Sequence, residues 1–349
     1  MLIFAQKYIT MSIINSKEVL AAKQLIDSAQ HIVITIHMSP DGDAMGASHA
    51  LKHWLYKLGK KDVTIVAPND YPSFLSWLPE AEQVLNYEHQ KDAADKAMNN
   101  ADLIICADYN EPKRIGAVAE TLLAAKAPKL LIDHHIGPDT FPDIIISYPQ
   151  MPSCCELVYH LISEMGMKDM IDCTIATCIY TGMMTDTVNF SVNFNNPDTY
   201  LILADLLRTG IDRNRIYSNV YNQYSSHRMR LVGYCLYNKM KIYPEYRTAV
   251  IALTGKELFP FHFVSGDAEG IVNMPLQIAD VDMSVFMRED KYKIKISFRS
   301  KGDLATNIFA HKYFNGGGHK NAAGGESHTT IPETVARLEK YLPKLKDCQ

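Results

Sequence analysis

The sequence predicts an α/β protein of two domains, the first of which holds a parallel sheet with helices on both faces. The length of 349 residues suits two domains that each bury a core. Over residues 31–148, short apolar runs alternate with segments of helical periodicity. After residue 245 the pattern changes to strands of a half-exposed sheet. We therefore expect a parallel-sheet domain, a helical linker, and a smaller α/β domain with a mixed sheet.

Buried strands of the first domain are predicted from short, β-branched apolar runs, which are typical of parallel sheets. They are HIVITIH (31–37), VTIVAP (63–68), DLIICAD (102–108), KLLIDHH (129–135) and DIIISY (143–148).

Helices are predicted between and after these strands from apolar spacing and end signals. The expected ranges are 44–58, 81–99 and 112–127, the last of which begins at a proline. Residues 154–241 are expected to be mostly helical, with one long helix over 212–241.

The second domain is predicted from three segments that alternate apolar and polar residues: 247–254, 282–289 and 292–300. The tripeptide EDK at 289–291 indicates a hairpin turn between the last two. A helix over 303–314 then leads into the glycine-rich stretch NGGGHKNAAGG. We place the first domain at 1–205, the linker at 206–245 and the second domain at 246–349.

Composition and charge narrow the classes of function. The chain is 47% hydrophobic and 21% charged with a net charge of -4, which is typical of a soluble globular protein and disfavours a wide surface for long nucleic acids. No apolar run reaches the ~20 residues of a membrane span. Seven cysteines without a CxxC pair indicate reduced thiols and a cytoplasmic location. The first fifteen residues do not have the pattern of a signal peptide, and Met11 is an alternative start.

Metal-binding side chains collect where the predicted strands end. They are His37, Asp41 and Asp43 after the first strand, Asp108 after the third, and Asp133, His134 and His135 after the fourth. Ligands of open α/β sheets bind at this edge. Asp186, in YTGMMTDTVNF, is a further candidate at the end of a helix.

Each of these residues also has a purely structural interpretation. A lone aspartate after a strand commonly caps a helix, and adjacent histidines are commonly hydrogen-bonded core or surface groups. Asp133 is a candidate for orienting a neighbouring imidazole rather than for binding a metal. Together, however, so many carboxylates repel one another unless cations compensate them. Two divalent ions fit, with Mn²⁺ the best match to carboxylate and imidazole ligands and Mg²⁺, Fe²⁺ and Zn²⁺ as alternatives.

The second domain offers candidate phosphate-binding groups. Gly316, Gly317 and Gly318 would let the backbone approach a ligand closely, and His319 follows them. Arg299 ends a predicted strand, where its guanidinium could hold a phosphate or a carboxylate. The structural alternatives are a glycine turn and a solvated arginine.

Five motifs resemble, in this order, those of the DHH phosphoesterase family. They are HMSPDGDAMGAS, CADYNEPKRIG, LIDHHIGPDTFPD, TGMMTDTVNFS and GGGHKNAAGG. The last is similar to the glycine motif of the DHH-associated domain. The resemblance covers about residues 17–343, and the branch that it resembles most is the bacterial nanoRNase/pAp phosphatase group.

The resemblance implies a role for each candidate. His37 and Asp41 would bind one metal, and Asp43, His134 and Asp186 the other. Asp108 would bridge the two metals, His135 would face the substrate as a donor to the scissile phosphate or the leaving oxygen, and Asp133 would support the histidines. Arg299, Gly317, Gly318 and His319 would hold the terminal phosphate and nucleotide of the substrate, and the linker would let the domains close.

The expected activity is hydrolysis of oligoribonucleotides of about two to five units to mononucleotides, together with dephosphorylation of pAp to AMP. Short RNA and pAp are the expected partners, without a membrane or a stable long nucleic acid, and a homodimer is the default expectation. The alternatives are a cyclic-dinucleotide or pGpG phosphodiesterase and a catalytically silent nucleotide-binding module. A family II pyrophosphatase ranks lower because its second domain lacks the GGGH motif.

Overall fold

The computed structural model of the chain describes residues 12–192, 194–264 and 266–348. The chain divides into two compact units, which meet in the sequence at Val220 and Tyr221. The predicted domain limits at residues 205 and 245 stay predictions. The question of a leader and of a start at Met11 falls on residues 1–11, outside the described residues.

The first unit contains, in its described part, a six-stranded parallel sheet with the strand order β3-β2-β1-β4-β5-β6. The strands are β1 (His31–Thr35), β2 (Asp62–Ala67), β3 (Leu85–Asn86), β4 (Leu103–Ala107), β5 (Lys129–Asp133) and β6 (Ile144–Ser147). The strand order reverses between β1 and β4, and a crevice at such a point is the usual ligand site of this architecture. The predicted α/β class with a parallel sheet is confirmed.

Nine helices of the described residues precede the second sheet in the chain, and the last of them, α9, already lies in the second unit. They are α1 (Ser16–Ser28), α2 (Gly42–Lys57), α3 (Tyr87–Asn100), α4 (Val118–Ala124), α5 (Cys154–Glu164), α6 (Cys173–Asp186), α7 (Pro197–Arg208), α8 (Arg213–Tyr221) and α9 (Ser226–Tyr234). On one face of the sheet, α3 and α4 pack against Val33, Ile104 and Leu131. On the other face, α2 and α5 contact the strands.

Three predicted helices are wrong in extent. The range 81–99 contains a 3₁₀ turn and β3 before α3 begins, because Leu85 pairs with Val66 and Asn86 caps α3 by accepting from the Glu88 N–H. The range 112–127 is a 3₁₀ turn followed by α4, since Gly116 adopts φ +55° and breaks the helix.

The range 212–241 is likewise not one helix. It is divided into α8, α9 and a π-helical turn, Cys235–Lys239. The Ser225 side chain accepts a hydrogen bond from the Arg228 N–H, which makes it the N-cap of a new helix.

The second unit holds a mixed sheet in the order β11-β12-β10-β9-β8-β7. Its strands are β7 (Lys241–Tyr243), β8 (Thr248–Leu253), β9 (Met283–Glu289), β10 (Ile294–Ser300), β11 (Gly317–His319) and β12 (Ala322–Ser327). Strands β8 and β9 are parallel, whereas the other neighbours are antiparallel. The helices are α10 (Gly255–Leu258), α11 (Thr306–Phe314) and α12 (Ile331–Tyr341). The predicted hairpin is confirmed, with Asp290 N donating to Lys293 O at 2.8 Å.

Helices α2 and α6 approach closely because glycines lie at their contact. A Cβ on Gly46 would be 2.6 Å from Cys178 O, and one on Gly182 would be 2.2 Å from Cys155 Sγ and 2.7 Å from Asp43 Oδ1. Gly182 therefore makes room for the side chain of Asp43.

Gly182→Ala should destabilise the protein by about 1–3 kcal/mol, because the methyl group overpacks the helix contact. The matched control is Gly233→Ala on α9, where an added Cβ meets nothing within 4 Å. That control should stabilise by about 0.5–1 kcal/mol through helix propensity. Denaturant unfolding measures both changes, and a stabilised Gly182→Ala variant would contradict the close packing.

Candidate metal centre

The candidate site of the first unit is assembled where β1, β4 and β5 end. His37 lies just after β1, Asp108 directly follows β4, and His134 directly follows β5. Asp41 is the N-cap of α2, where its Oδ1 accepts hydrogen bonds from Asp43 N and Ala44 N at 3.0 and 3.1 Å. Parallel strands thus deliver side chains that are far apart in sequence to one edge.

Asp108 lies between two histidines. Its Oδ2 is 3.5 Å from His37 Nε2, and its Oδ1 is 3.4 Å from His134 Nε2. The residue is 2% exposed, and its Oδ1 accepts no hydrogen bond from the part of the chain that the structure describes. Its backbone is in the left-handed region with φ +64°, a conformation that costs about 1 kcal/mol or more and that clusters at functional sites.

A first group of potential ligands consists of His37, Asp41 and Asp108. One ligand atom from each lies within 4.8 Å of the others. The Nδ1 of His37 is 3.1 Å from Met38 O, which can only accept, so this nitrogen carries the proton. The Nε2 atom therefore points to the carboxylates with its lone pair available once the imidazole is neutral.

A second group consists of Asp43, Asp108 and His134. His134 Nε2 is 3.6 Å from Asp43 Oδ2 and 3.6 Å from Asp186 Oδ2, which brings Asp186 to the same place. His134 Nδ1 donates to Met151 O at 3.1 Å, so this imidazole is oriented in the same way as His37.

Asp43 is held by the start of a helix that is distant in sequence. Its two carboxylate oxygens accept hydrogen bonds from Cys154 N and Cys155 N at 2.6 and 2.9 Å. These are amides at the N-terminus of α5, where a negative charge is favoured. Sequence reasoning missed these amides, since a backbone contact across 111 residues leaves no local signal.

His135 lies beside the two groups, in contact with Asp133 and Arg114. Its Nδ1 is 2.8 Å from Asp133 Oδ1, and its backbone N–H donates to Asp133 Oδ2 at 3.0 Å. Asp133 thus contacts the imidazole of His135, as one of the two sequence-based interpretations expected. Arg114 Nη2 is 3.1 Å from His135 Nε2. Arg114 was not among the predicted site residues, although it lies in the CADYNEPKRIG motif.

The charges of the cluster are strongly coupled. Burial lowers the pKa of His37, but the carboxylates of Asp108 and Asp41 outweigh it and raise the pKa to about 10. Burial works to raise the pKa of Asp108, but His134 and His37 hold it well below its usual value. Burial and the charges of Asp108 and Asp186 raise the pKa of Asp43 well above its usual value.

These features fit divalent cations. Several buried carboxylates share a small volume, and two imidazole nitrogens point at them. One of the carboxylate oxygens, Asp108 Oδ1, accepts no hydrogen bond from any described residue. Cations would replace the protons on the histidines and relieve the repulsion among the carboxylates. Oxygen and nitrogen donors without thiolate suit Mn²⁺, Mg²⁺, Fe²⁺ or Zn²⁺.

The remaining candidates lie in the second unit. Arg299 of β10 and His319 of β11 both pair with Ala322 of β12, so their side chains share one face of the sheet. Arg299 is half-buried and donates to Phe298 O at 3.0 Å.

The three consecutive glycines at 316–318 differ in whether a Cβ atom would fit. A Cβ on Gly316 would be 2.0 Å from Gly324 O, and one on Gly318, at φ +137°, would be 2.6 Å from Ala322 O. Gly317 has nothing within 4 Å of an added Cβ. Two of the three glycines are thus required by the backbone itself, and Gly317 is the one with open space.

Comparison with known families decides the identity of both units. Residues 31–183 match the model of the DHH family, N-terminal domain, and residues 256–346 match that of the DHHA1 domain. The chain belongs to the DHH family. A crystal structure of an exopolyphosphatase-related protein from Bacteroides fragilis is 45% identical, has a TM-score of 0.89, and is matched over 99% of its chain and 96% of this one.

Two curated relatives of this DHH protein illustrate the names found among them. The bifunctional oligoribonuclease and PAP phosphatase NrnA of Thermus thermophilus is 29% identical over 299 residues, 84% of this chain and 83% of that protein. The cyclic-di-AMP phosphodiesterase GdpP of Bacillus subtilis is 23% identical over 331 residues, 91% of this chain but only 48% of that protein. The DHH protein resembles the first over nearly its full length and the second over about half.

The raised pKa of His37 predicts a pH-dependent stability in the presence of a chelator. Because its folded-state pKa of about 10 exceeds the unfolded value of 6.5, the stabilisation is complete below pH 6.5 and is lost as the pH rises toward 10. The comparison is between the natural protein and His37→Gln. The difference between their free energies of unfolding should fall by on the order of 2 kcal/mol between pH 6 and pH 9. Urea unfolding with EDTA measures this difference, and a flat or rising difference would contradict the charge coupling.

Proposed function

We propose that this DHH protein is a divalent-metal-dependent hydrolase that cleaves oligoribonucleotides of two to five nucleotides to mononucleotides and dephosphorylates pAp to AMP. The observation that carries the proposal is the sharing of Asp108 by the two groups of carboxylates and imidazoles. A pair of cations at such a site is suited to phosphoryl hydrolysis. The relatives named oligoribonuclease and PAP phosphatase support the choice of substrate.

Two cations, with Mn²⁺ as the preferred ion, would be held by the residues of the two groups. His37 and Asp41 would hold one, Asp43, His134 and Asp186 the other, and Asp108 both. When bound, the pair supplies an activated water and neutralises charge on the phosphoryl oxygens. The protein's contribution is rigidity: Met38 O and Met151 O fix the imidazoles, and the amides of α5 fix Asp43.

The substrate-binding residues are proposed in both units. In the first unit, His135 would lie next to the scissile phosphate, since its Nδ1 is 3.8 Å from Asp108 Oδ1. In the second, Arg299 and His319 on one sheet face, with Gly317 and Gly318 beside them, would hold the terminal phosphate and nucleotide. The open backbone at Gly317 supports close approach of a ligand there.

General properties of the chain bear on the size of its substrate, its compartment and its oligomeric state. The net charge of -4 offers no broad attraction for long nucleic acids. No helix in the described ranges is long and apolar enough to cross a membrane. All seven cysteines, which lie within those ranges, are free thiols, which supports a reducing compartment such as the cytoplasm. A homodimer remains our default expectation.

A second candidate is hydrolysis of cyclic dinucleotides or of pGpG. It is favoured by the relatives named cyclic-di-AMP phosphodiesterase. Because this chain spans about half the length of those relatives, the oligoribonuclease proposal is the better supported. A silent nucleotide-binding module is the least supported, since every side chain that the metal proposal needs is present.

With Mn²⁺, the protein should release mononucleotides from a dinucleotide and a pentanucleotide faster than from a 20-mer, and phosphate from pAp. Cyclic-di-AMP, pGpG, pyrophosphate and polyphosphate serve as competing substrates in one parallel time course. Asp108→Ala should lower every rate by several orders of magnitude, since it removes the carboxylate shared by both groups. Equal rates on the dinucleotide and the 20-mer would contradict the proposed length preference. If only one of the competing substrates is hydrolysed, the proposed substrates are wrong.

Metal binding itself can be measured without a substrate. Adding Mn²⁺ to the chelator-treated protein should raise the melting temperature by several degrees, because ligands that bind the native state stabilise it. Asp108→Asn should abolish most of this shift, whereas Asp62→Asn, at an exposed residue that pairs with His31, should keep it. An unchanged melting temperature of the natural protein would refute the metal site.

A further inference from the structure

Arg114 is a cationic side chain next to the candidate metal centre that the proposed mechanism does not use. It belongs to the 3₁₀ turn Pro112–Ile115, which follows β4 and Asp108. Its Nη2 is 3.1 Å from Nε2 of His135, and His135 is in turn 3.8 Å from Asp108. A single imidazole ring therefore separates its guanidinium from the shared carboxylate.

The turn that carries Arg114 is anchored on both sides. Its carbonyl oxygen accepts a hydrogen bond from Met38 N at 2.7 Å, and the next residue, Ile115, is fully buried in the core. Met38 is the residue whose own carbonyl orients His37. These contacts use the backbone, so they do not depend on the identity of the Arg114 side chain.

The guanidinium of Arg114 has no carboxylate partner among the described residues. Throughout the described residues, Arg114 makes one side-chain hydrogen bond, to His135, and no ion pair with a carboxylate. Its neighbour Lys113, by contrast, pairs with Glu111 at 2.7 Å. A half-buried arginine without an anionic partner, next to a site for phosphate chemistry, retains donors that match phosphate oxygens.

The contact also settles the protonation of His135 in this arrangement. A guanidinium can only donate, so Nε2 of His135 accepts and the ring proton is on Nδ1, which donates to Asp133 Oδ1. Nε2 consequently has no proton to give to a substrate while Arg114 holds it. Arg114 is thus a hydrogen-bond donor at this edge of the cluster.

We propose that Arg114 binds a non-bridging oxygen of the scissile phosphate and holds His135 as the neutral Nδ1–H tautomer beside it. This inference rests on the proposed phosphoesterase function. A preorganised guanidinium next to the reacting phosphoryl group stabilises charge that develops in the transition state, so its loss should lower kcat more than it raises KM.

The test compares Arg114→Ala, Arg114→Lys and the matched control Lys113→Ala, which removes an exposed charge from the same turn. With Mn²⁺-loaded protein, we expect Arg114→Ala to lower kcat on a dinucleotide and on pAp 10²–10³-fold, with Lys113→Ala within twofold of the natural protein. Millimolar guanidinium chloride should partly restore Arg114→Ala. Unchanged kcat in Arg114→Ala would overturn the proposal.

Two measurements other than activity separate binding from a structural role. Calorimetric titration with inorganic phosphate should show at least tenfold weaker binding to Mn²⁺-loaded Arg114→Ala, with Mn²⁺ content unchanged; equal affinity would overturn the proposal. Long-range ¹H–¹⁵N spectra should show His135 protonated at Nδ1 in the natural protein, and an Nε2–H signal would overturn the assigned tautomer.

The remaining outcomes are equally decisive. If Arg114→Ala unfolds or loses Mn²⁺, Arg114→Lys is the deciding variant, because lysine keeps the positive charge but lacks the planar guanidinium. A 10-fold or larger loss of kcat in Arg114→Lys supports the proposal, and full kcat overturns it. If the natural protein cleaves neither the dinucleotide nor pAp, the proposed function fails. The phosphate titration then still decides whether Arg114 is part of an anion site.

Discussion

The candidate site depends on the burial of the Asp108 carboxylate between two histidines. Its Oδ2 and Oδ1 lie 3.5 and 3.4 Å from Nε2 of His37 and of His134, and the residue adopts a left-handed backbone to be placed there. An isolated carboxylate in this position would be strongly destabilised by desolvation, so the charges around it must compensate. Protonated imidazoles compensate it, which is why the carboxylates raise the pKa values of His37 and His134 and the two histidines lower that of Asp108.

The rest of the first unit holds the partners of Asp108 in place. His37 and His134 each present Nε2 because a backbone carbonyl holds Nδ1, and these carbonyls belong to loops rather than to the sheet. Asp43 is held by two amides of α5, and it fits only because Gly182 of α6 lacks a side chain. The geometry of the cluster is thus set by helix packing as much as by the strand ends.

The sequence allowed prediction of those features that depend on local pattern and on general sheet topology. Apolar runs predict the five longer strands of the first sheet. The rule that parallel strands end at the same edge predicts that His37, Asp108 and His134 lie close together. Their roles as ligands remain proposals. The two-residue strand β3 was missed because it exists only through pairing with β2.

Other features depend on contacts that the sequence does not encode locally. The break at Gly116 requires a positive φ that helical spacing does not reveal, and it is this break that ends the 3₁₀ turn of Arg114. The contact of Arg114 with His135 spans 21 residues, and that of Asp43 with Cys154 spans 111. No apolar periodicity reports such pairs, so the identities of these partners could come only from the structure.

In the proposed mechanism, the sign of the local charge would require both a cation and an arginine. Five aspartates lie at this edge of the sheet: Asp41, Asp43, Asp108, Asp133 and Asp186. A phosphate, itself an anion, would be repelled by this cluster unless cations reversed its sign. Cations at the two groups would reverse it there, and the nearby carboxylate of Asp133 is hydrogen-bonded to His135. Arg114 contacts the other nitrogen of the same imidazole, so its fixed positive charge would add to that of the cations. The site would then accept a phosphate only when metal-loaded, and would hold it between the metals and the guanidinium.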